Sequence, residues 1–141
     1  MRPEGVPVSA ECKIVKGLSW LIMLIGIATV AVGIIMFMNA ADVAEQLEGG
    51  PISAQTAAVI MIVAGVFEFV TGVLGARGAN NPAHLGGFIV FASIIAIVNV
   101  AEIVLIVTGG QGTVWMNAVY VAAALTAVFN ASRAKKAALD R

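Results

Sequence analysis

Four long apolar runs separated by three short polar breaks make up nearly all of this chain. They cover roughly residues 14–38, 54–76, 85–108 and 113–131. Each is at least roughly 19 residues long, and about 20 residues in helical form cross the hydrocarbon core of a bilayer. The first run is too long for the core of a signal peptide and has no small-residue cleavage site after it, so it reads as a span. Glycine and proline punctuate the breaks: Glu48 to Pro51, Asn80 to Pro82 and Gly109 to Gly112. Connections this short make consecutive helices antiparallel neighbours. The expected fold is therefore all-α, an integral membrane antiparallel four-helix bundle running up-down-up-down, as a single four-span domain with residues 132–141 as a basic cytoplasmic tail.

Small residues recur every seven positions in the first two runs, as Ser19, Gly26, Gly33 and Ala40, and as Ala58, Gly65 and Gly72. Lipid removes the hydrophobic drive between helices, so close backbone packing and interhelical hydrogen bonds must hold them together. If the two helices run antiparallel about a turn near residue 45, Ser19 comes level with Gly72, Gly26 with Gly65 and Gly33 with Ala58. A seven-residue repeat keeps one seam toward the partner, which implies a left-handed, closely spaced pair.

Composition adds the class of molecule. Of 141 residues 60% are hydrophobic and only 11% charged, against about 25% charged in soluble domains. The formal net charge is zero, so nothing calls for a nucleic-acid partner, and the bilayer is the expected one. Arg2, Lys13 and Lys16 precede the first run, Arg77 lies between the second and third, and Arg133, Lys135, Lys136 and Arg141 follow the fourth. All the basic residues then fall on one side of an even-numbered topology, which places both termini on the cytoplasmic side of a plasma (cell inner) membrane. The first outer connection carries only the acidic Asp42, Glu45 and Glu48. Trp20 and Trp115 suit the interfacial belts.

The candidate chemistry lies in the polar residues inside the runs. Depth arithmetic about the second and third turns puts Glu68, Ser93 and Asn130 in an inner layer, and Glu102, Asn117 and Tyr120 in an outer one, with Asn99 a turn before Glu102. The two glutamates fall on opposite sides of the midplane, which argues against a paired-carboxylate site. Each glutamate carries two readings: a hydrogen-bonding link between helices, or a carboxylate that couples a proton or cation to transport. No nucleophile and base pair, phosphate loop or metal motif accompanies them, so no catalytic, cofactor or metal residue is assigned and no enzyme is expected. His84 reads as a solvated loop residue, and the lone Cys12 as a free thiol at the inner membrane edge. Asn130-Ala-Ser132 has the glycosylation spacing but falls on the cytoplasmic side.

Ser19, Gly26 and Gly33, the string from Gly72 through Gly75 and Gly78 to Ala79, Glu102 in the third run, and Cys12 with Lys13 before the first together resemble the transmembrane core of the tetraspanins. The likeness covers the first three runs. The large extracellular domain of that family, with its cysteine motif, is absent, and Ser19 stands where the family has asparagine. What the resemblance implies is lateral organisation of other membrane proteins, with partners among them or in further copies of the chain. The rival on the residues alone is a small homodimeric transporter or channel using Glu68 or Glu102.

Overall fold

A computed structural model describes residues 9–44, 50–109 and 113–140, apart from the side chains of residues 43, 44 and 50–52. Among the described residues every regular element is helical: α1 (Ala10–Met38), α2 (Ala40–Ala44), α3 (Gly50–Gly78), α4 (Gly86–Gly109) and α5 (Trp115–Leu139), with a 3-10 turn at Pro82–His84. Glu45, Glu48, Arg2, Arg141 and most of the expected break between Gly109 and Gly112 lie outside the described residues.

The helices extend beyond the apolar runs. α1 begins at Ala10 because Ser9 caps it, its Oγ accepting from the backbone N–H of Cys12 at 3.3 Å, and Glu11 in the first turn suits the positive end of the helix dipole. At the other end Asn39 interrupts it, with both its backbone and its side-chain N–H directed to the carbonyl of Ile35. α5 runs on to Leu139, so the basic stretch expected as a tail is helix almost to its end. Alanine and lysine are good helix formers. α3 closes at Gly78 through turn bonds from Ala79, Asn80 and Asn81. Asn81 is then extended, as a residue before proline is biased to be, and Pro82 starts the 3-10 turn.

Three helices are long and apolar enough to cross a membrane, Ala10–Met38, Ser53–Gly78 and Gly86–Gly109, whose most apolar 18-residue stretches have mean hydropathy of 2.7, 2.3 and 2.7. α5 has the length at 25 residues but is not among them, its apolar run being diluted by alanine and by Asn117 and Asn130. Only 17–22% of the most apolar stretch of each of the three is buried. Large apolar side chains such as Leu24, Ile35, Ile60, Val63, Ile97 and Leu105 instead face outward.

The chain divides into two compact units, Leu21–Val70 and a second made of the described parts of Met1–Trp20 and Thr71–Arg141. In the first, α1 and α3 run in opposite directions, since Gly26 approaches Gly65 while Gly33, further on, approaches Ala58. In the second, Asn117 near the start of α5 meets Glu102 near the end of α4, and Lys135 reaches Gly86 at the start of α4. α4 and α5 are therefore also antiparallel. Their buried residues are Phe88, Ala92, Ile95 and Ala96 on α4, and Ala124, Ala127, Ala131 and Ala134 on α5. Spacings of three and four put each set on one stripe of its helix.

Candidate functional site

A hydroxyl or amide inside an apolar helix must find a partner within the protein, and the nearest acceptor is the carbonyl one turn back. Ser19 donates to Val15 at 2.6 Å, Ser93 to Ile89 at 2.7 Å, Asn99 to Ile95 at 2.9 Å and Asn130 to Thr126 at 2.8 Å. Ser93 and Asn130 thus direct these donors to their own helices.

In the Leu21–Val70 unit, Gly26 and Gly65 bring α1 and α3 together at backbone distance. A Cβ built on Gly26 would stand 2.5 Å from the nitrogen of Phe69 and 2.6 Å from the Gly65 carbonyl oxygen. On Gly65 it would stand 2.7 Å from both the Gly26 carbonyl oxygen and the Val30 nitrogen. At Gly33 the neighbours are the Ile62 side chain at 2.8 Å and the Ala58 carbonyl oxygen at 3.1 Å. Glu68 lies a turn beyond Gly65, half-buried, and its Oε2 accepts from the Thr29 hydroxyl at 3.2 Å. That hydroxyl also donates to the Ile25 carbonyl at 2.9 Å, so its one proton is shared.

In the second unit Ser19 is fully buried against Gly75, one turn beyond Gly72, which is itself buried. A Cβ on Gly75 would overlap the Ser19 hydroxyl and lie 2.6 Å from the Phe88 ring. The outer polar residues meet here too. Asn117 donates to Glu102 Oε2 at 2.5 Å and to Asn99 Oδ1 at 3.4 Å. Tyr120 lies half-buried, one turn further along α5. Glu102 is exposed, unlike Glu68.

Two basic residues of this unit, Arg133 and Lys16, hold loose polar contacts. Arg133 stands 3.8 Å from Glu11 and 5.6 Å from the Phe129 ring centre, and Lys16 donates to Asn80 at 3.4 Å. Cys12 is a free thiol and is buried. A groove of about 330 Å³ is lined by Phe37, Gln55, Thr56, Val59 and Ile60, with neither glutamate in its wall. Among the described residues no group of three His, Cys, Asp or Glu converges as metal ligands.

Thr29 and Thr71 were not singled out from the sequence, though Thr71 is fully buried, and Gly75 entered only through the tetraspanin-like string. Thr29 carried one available signal, lying three residues after Gly26 and therefore on the same helix face. Comparison with family models, curated proteins and solved structures finds no match to this chain.

Proposed function

We propose that the chain crosses the bilayer four times as an up-down-up-down bundle with both termini on the cytoplasmic side of the cell's inner membrane, and works without catalysis by associating laterally with other membrane proteins or with itself. The observation that carries this reading is the apolar exterior. The most apolar 18-residue stretches of the three apolar helices, with mean hydropathy of 2.3–2.7, are more than three quarters unburied, a surface that water would not tolerate and lipid would cover. α5 is then the span that leans on its neighbours. Its alanine stripe and Asn117 give it protein contacts in place of hydrophobicity.

An organiser is favoured over a transporter because Glu68, the glutamate nearer the glycine seam, has its carboxylate on Thr29 within the α1/α3 pair. In that setting it links helices, and lateral organisation is what the tetraspanin-like resemblance of the first three spans implies. The transporter reading draws on Glu102, whose exposure on so apolar a helix would suit a pathway shared between two copies.

Reconstitution in liposomes with an internal pH dye separates them. The organiser reading expects no proton flux above that of protein-free vesicles, and no change on Glu68→Gln or Glu102→Gln. A flux that either substitution abolishes while the bundle stays folded would replace it with the transporter.

A further inference from the structure

Glu102 lies two turns before the end of a helix whose most apolar 18-residue stretch has mean hydropathy 2.7, and it is exposed. Its surroundings have a definite hydrogen-bond balance. Asn117 spends one amide hydrogen on Glu102 Oε2 and the other on Asn99 Oδ1, and Asn99 spends one of its own on the Ile95 carbonyl. Among the described residues this leaves three groups of the patch without a hydrogen-bond partner: the second N–H of Asn99, Oε1 of Glu102 and Oδ1 of Asn117. Polar groups at membrane depth turn toward protein or water because lipid cannot satisfy them.

An idle donor and idle acceptors within one turn of each other make the patch complementary to itself. A two-fold axis through it would let Asn99 of each copy donate to Glu102 Oε1 of the other, the reciprocal pairing that an isologous interface requires. The residues beside it on the exposed surface, Ala101 on α4 and Ala118 on α5, are small, so a second helix has room to come close. We infer that Asn99, Glu102 and Asn117 form the contact surface for a second copy of this chain. The inference rests on the reading that α4 crosses a bilayer, and it names the partner for that reading.

The test uses the full chain in membranes, with Ala101→Cys placed beside Glu102 in a Cys12→Ala background and a bis-maleimide as cross-linker. A dimer-sized band is expected from Ala101→Cys and none from Ile60→Cys, an exposed position in the other unit. Adding Asn99→Ala or Glu102→Leu should lower the cross-linked fraction about tenfold, the loss of two interhelical hydrogen bonds. Glu102→Gln keeps an acceptor oxygen in place and should retain the dimer. Cross-linking at Ala101→Cys no better than at Ile60→Cys, or undiminished by both Asn99→Ala and Glu102→Leu, overturns the inference. Alkaline carbonate extraction of the same membranes separates the two failures. A chain released to the soluble fraction defeats the membrane reading, and a chain retained without a dimer defeats only the interface.

Discussion

The α1/α3 pairing within Leu21–Val70 and the α4/α5 pairing within the second unit close by different means. Backbone meets backbone at Gly26 and Gly65 in the first, and the carboxylate beside them is half-buried on Thr29. In the second, alanines from α5 pack in the same unit as Phe88 and Ile95, and the carboxylate at the end of the stripe stays exposed on Asn117. Where side chains vanish, the partner backbone is the wall, and a buried polar group must be served locally. With methyl groups between them, two helices can end in a polar patch open to something else. The first pairing should therefore be more brittle to added atoms than the second, where a displaced side chain can still give way.

The largest effect is expected from added bulk at Gly26 or Gly65. Either glycine changed to leucine must displace backbone atoms standing 2.5–2.7 Å from its Cβ, and rotating a side chain gives no escape. Overpacking against backbone falls at the upper end of the usual range, about 3 kcal/mol, read as lost stability in a denaturing-detergent titration. The control is Gly17→Ala, where nothing lies within 4 Å. Equal losses at Gly17 and Gly26 would mean that glycine serves helix flexibility and not contact.

A smaller loss, about 1–3 kcal/mol, is expected of Gly75→Ala, whose Cβ would overlap the Ser19 hydroxyl and crowd the buried Phe88 ring. Because one of the two obstacles is a single oxygen atom, Ser19→Ala in the same chain should return part of the stability. No recovery would assign the whole cost to Phe88.

Helical content was legible in the apolar runs, and the break after α3 in Pro82 and the two asparagines before it. Helix ends were less so. An apolar run measures the stretch that suits lipid, whereas the helix continues wherever capping and propensity allow, as at Ser9 and through the lysines of α5. Gly26 and Gly65 stand out by spacing alone, but only the geometry shows that backbone atoms would meet a Cβ at each. The partners of the glutamates were the least legible part. Equal-depth arithmetic tracks Cα positions, whereas helical side chains lean toward the N-terminus of their own helix. Glu68 therefore reaches a level nearer residue 64, which on α1 is where Thr29 waits. Thr29 itself, amid Ile27, Ala28 and Val30, gave only its place on the Gly26 face.

That Thr29 contact is the next step down in size. Thr29→Val keeps the shape of the side chain and removes the hydroxyl, so the loss should be about 1 kcal/mol, the ordinary worth of a polar contact between membrane helices. A double-mutant cycle with Glu68→Leu measures the pair directly. A coupling indistinguishable from zero would show that the shared proton stays on the Ile25 carbonyl, leaving Glu68 to be held by other groups.

The smallest effect belongs to the basic end of α5. Arg133 is 62% exposed in its side chain, 3.8 Å from Glu11, and over Phe129 on its own helix at 5.6 Å. A surface pair this long and this wet contributes about 0.5 kcal/mol or less, so Arg133→Gln should leave the detergent titration nearly unchanged. Under the proposed four-span topology the positive-inside bias would lose one charge of several, which is too little to invert it. A loss above about 1 kcal/mol would mean that the Glu11 contact is shielded from solvent screening. The second unit would then depend on a polar clasp between α1 and α5 as well as on its alanine stripe, and its tolerance relative to the glycine pairing would have to be given up.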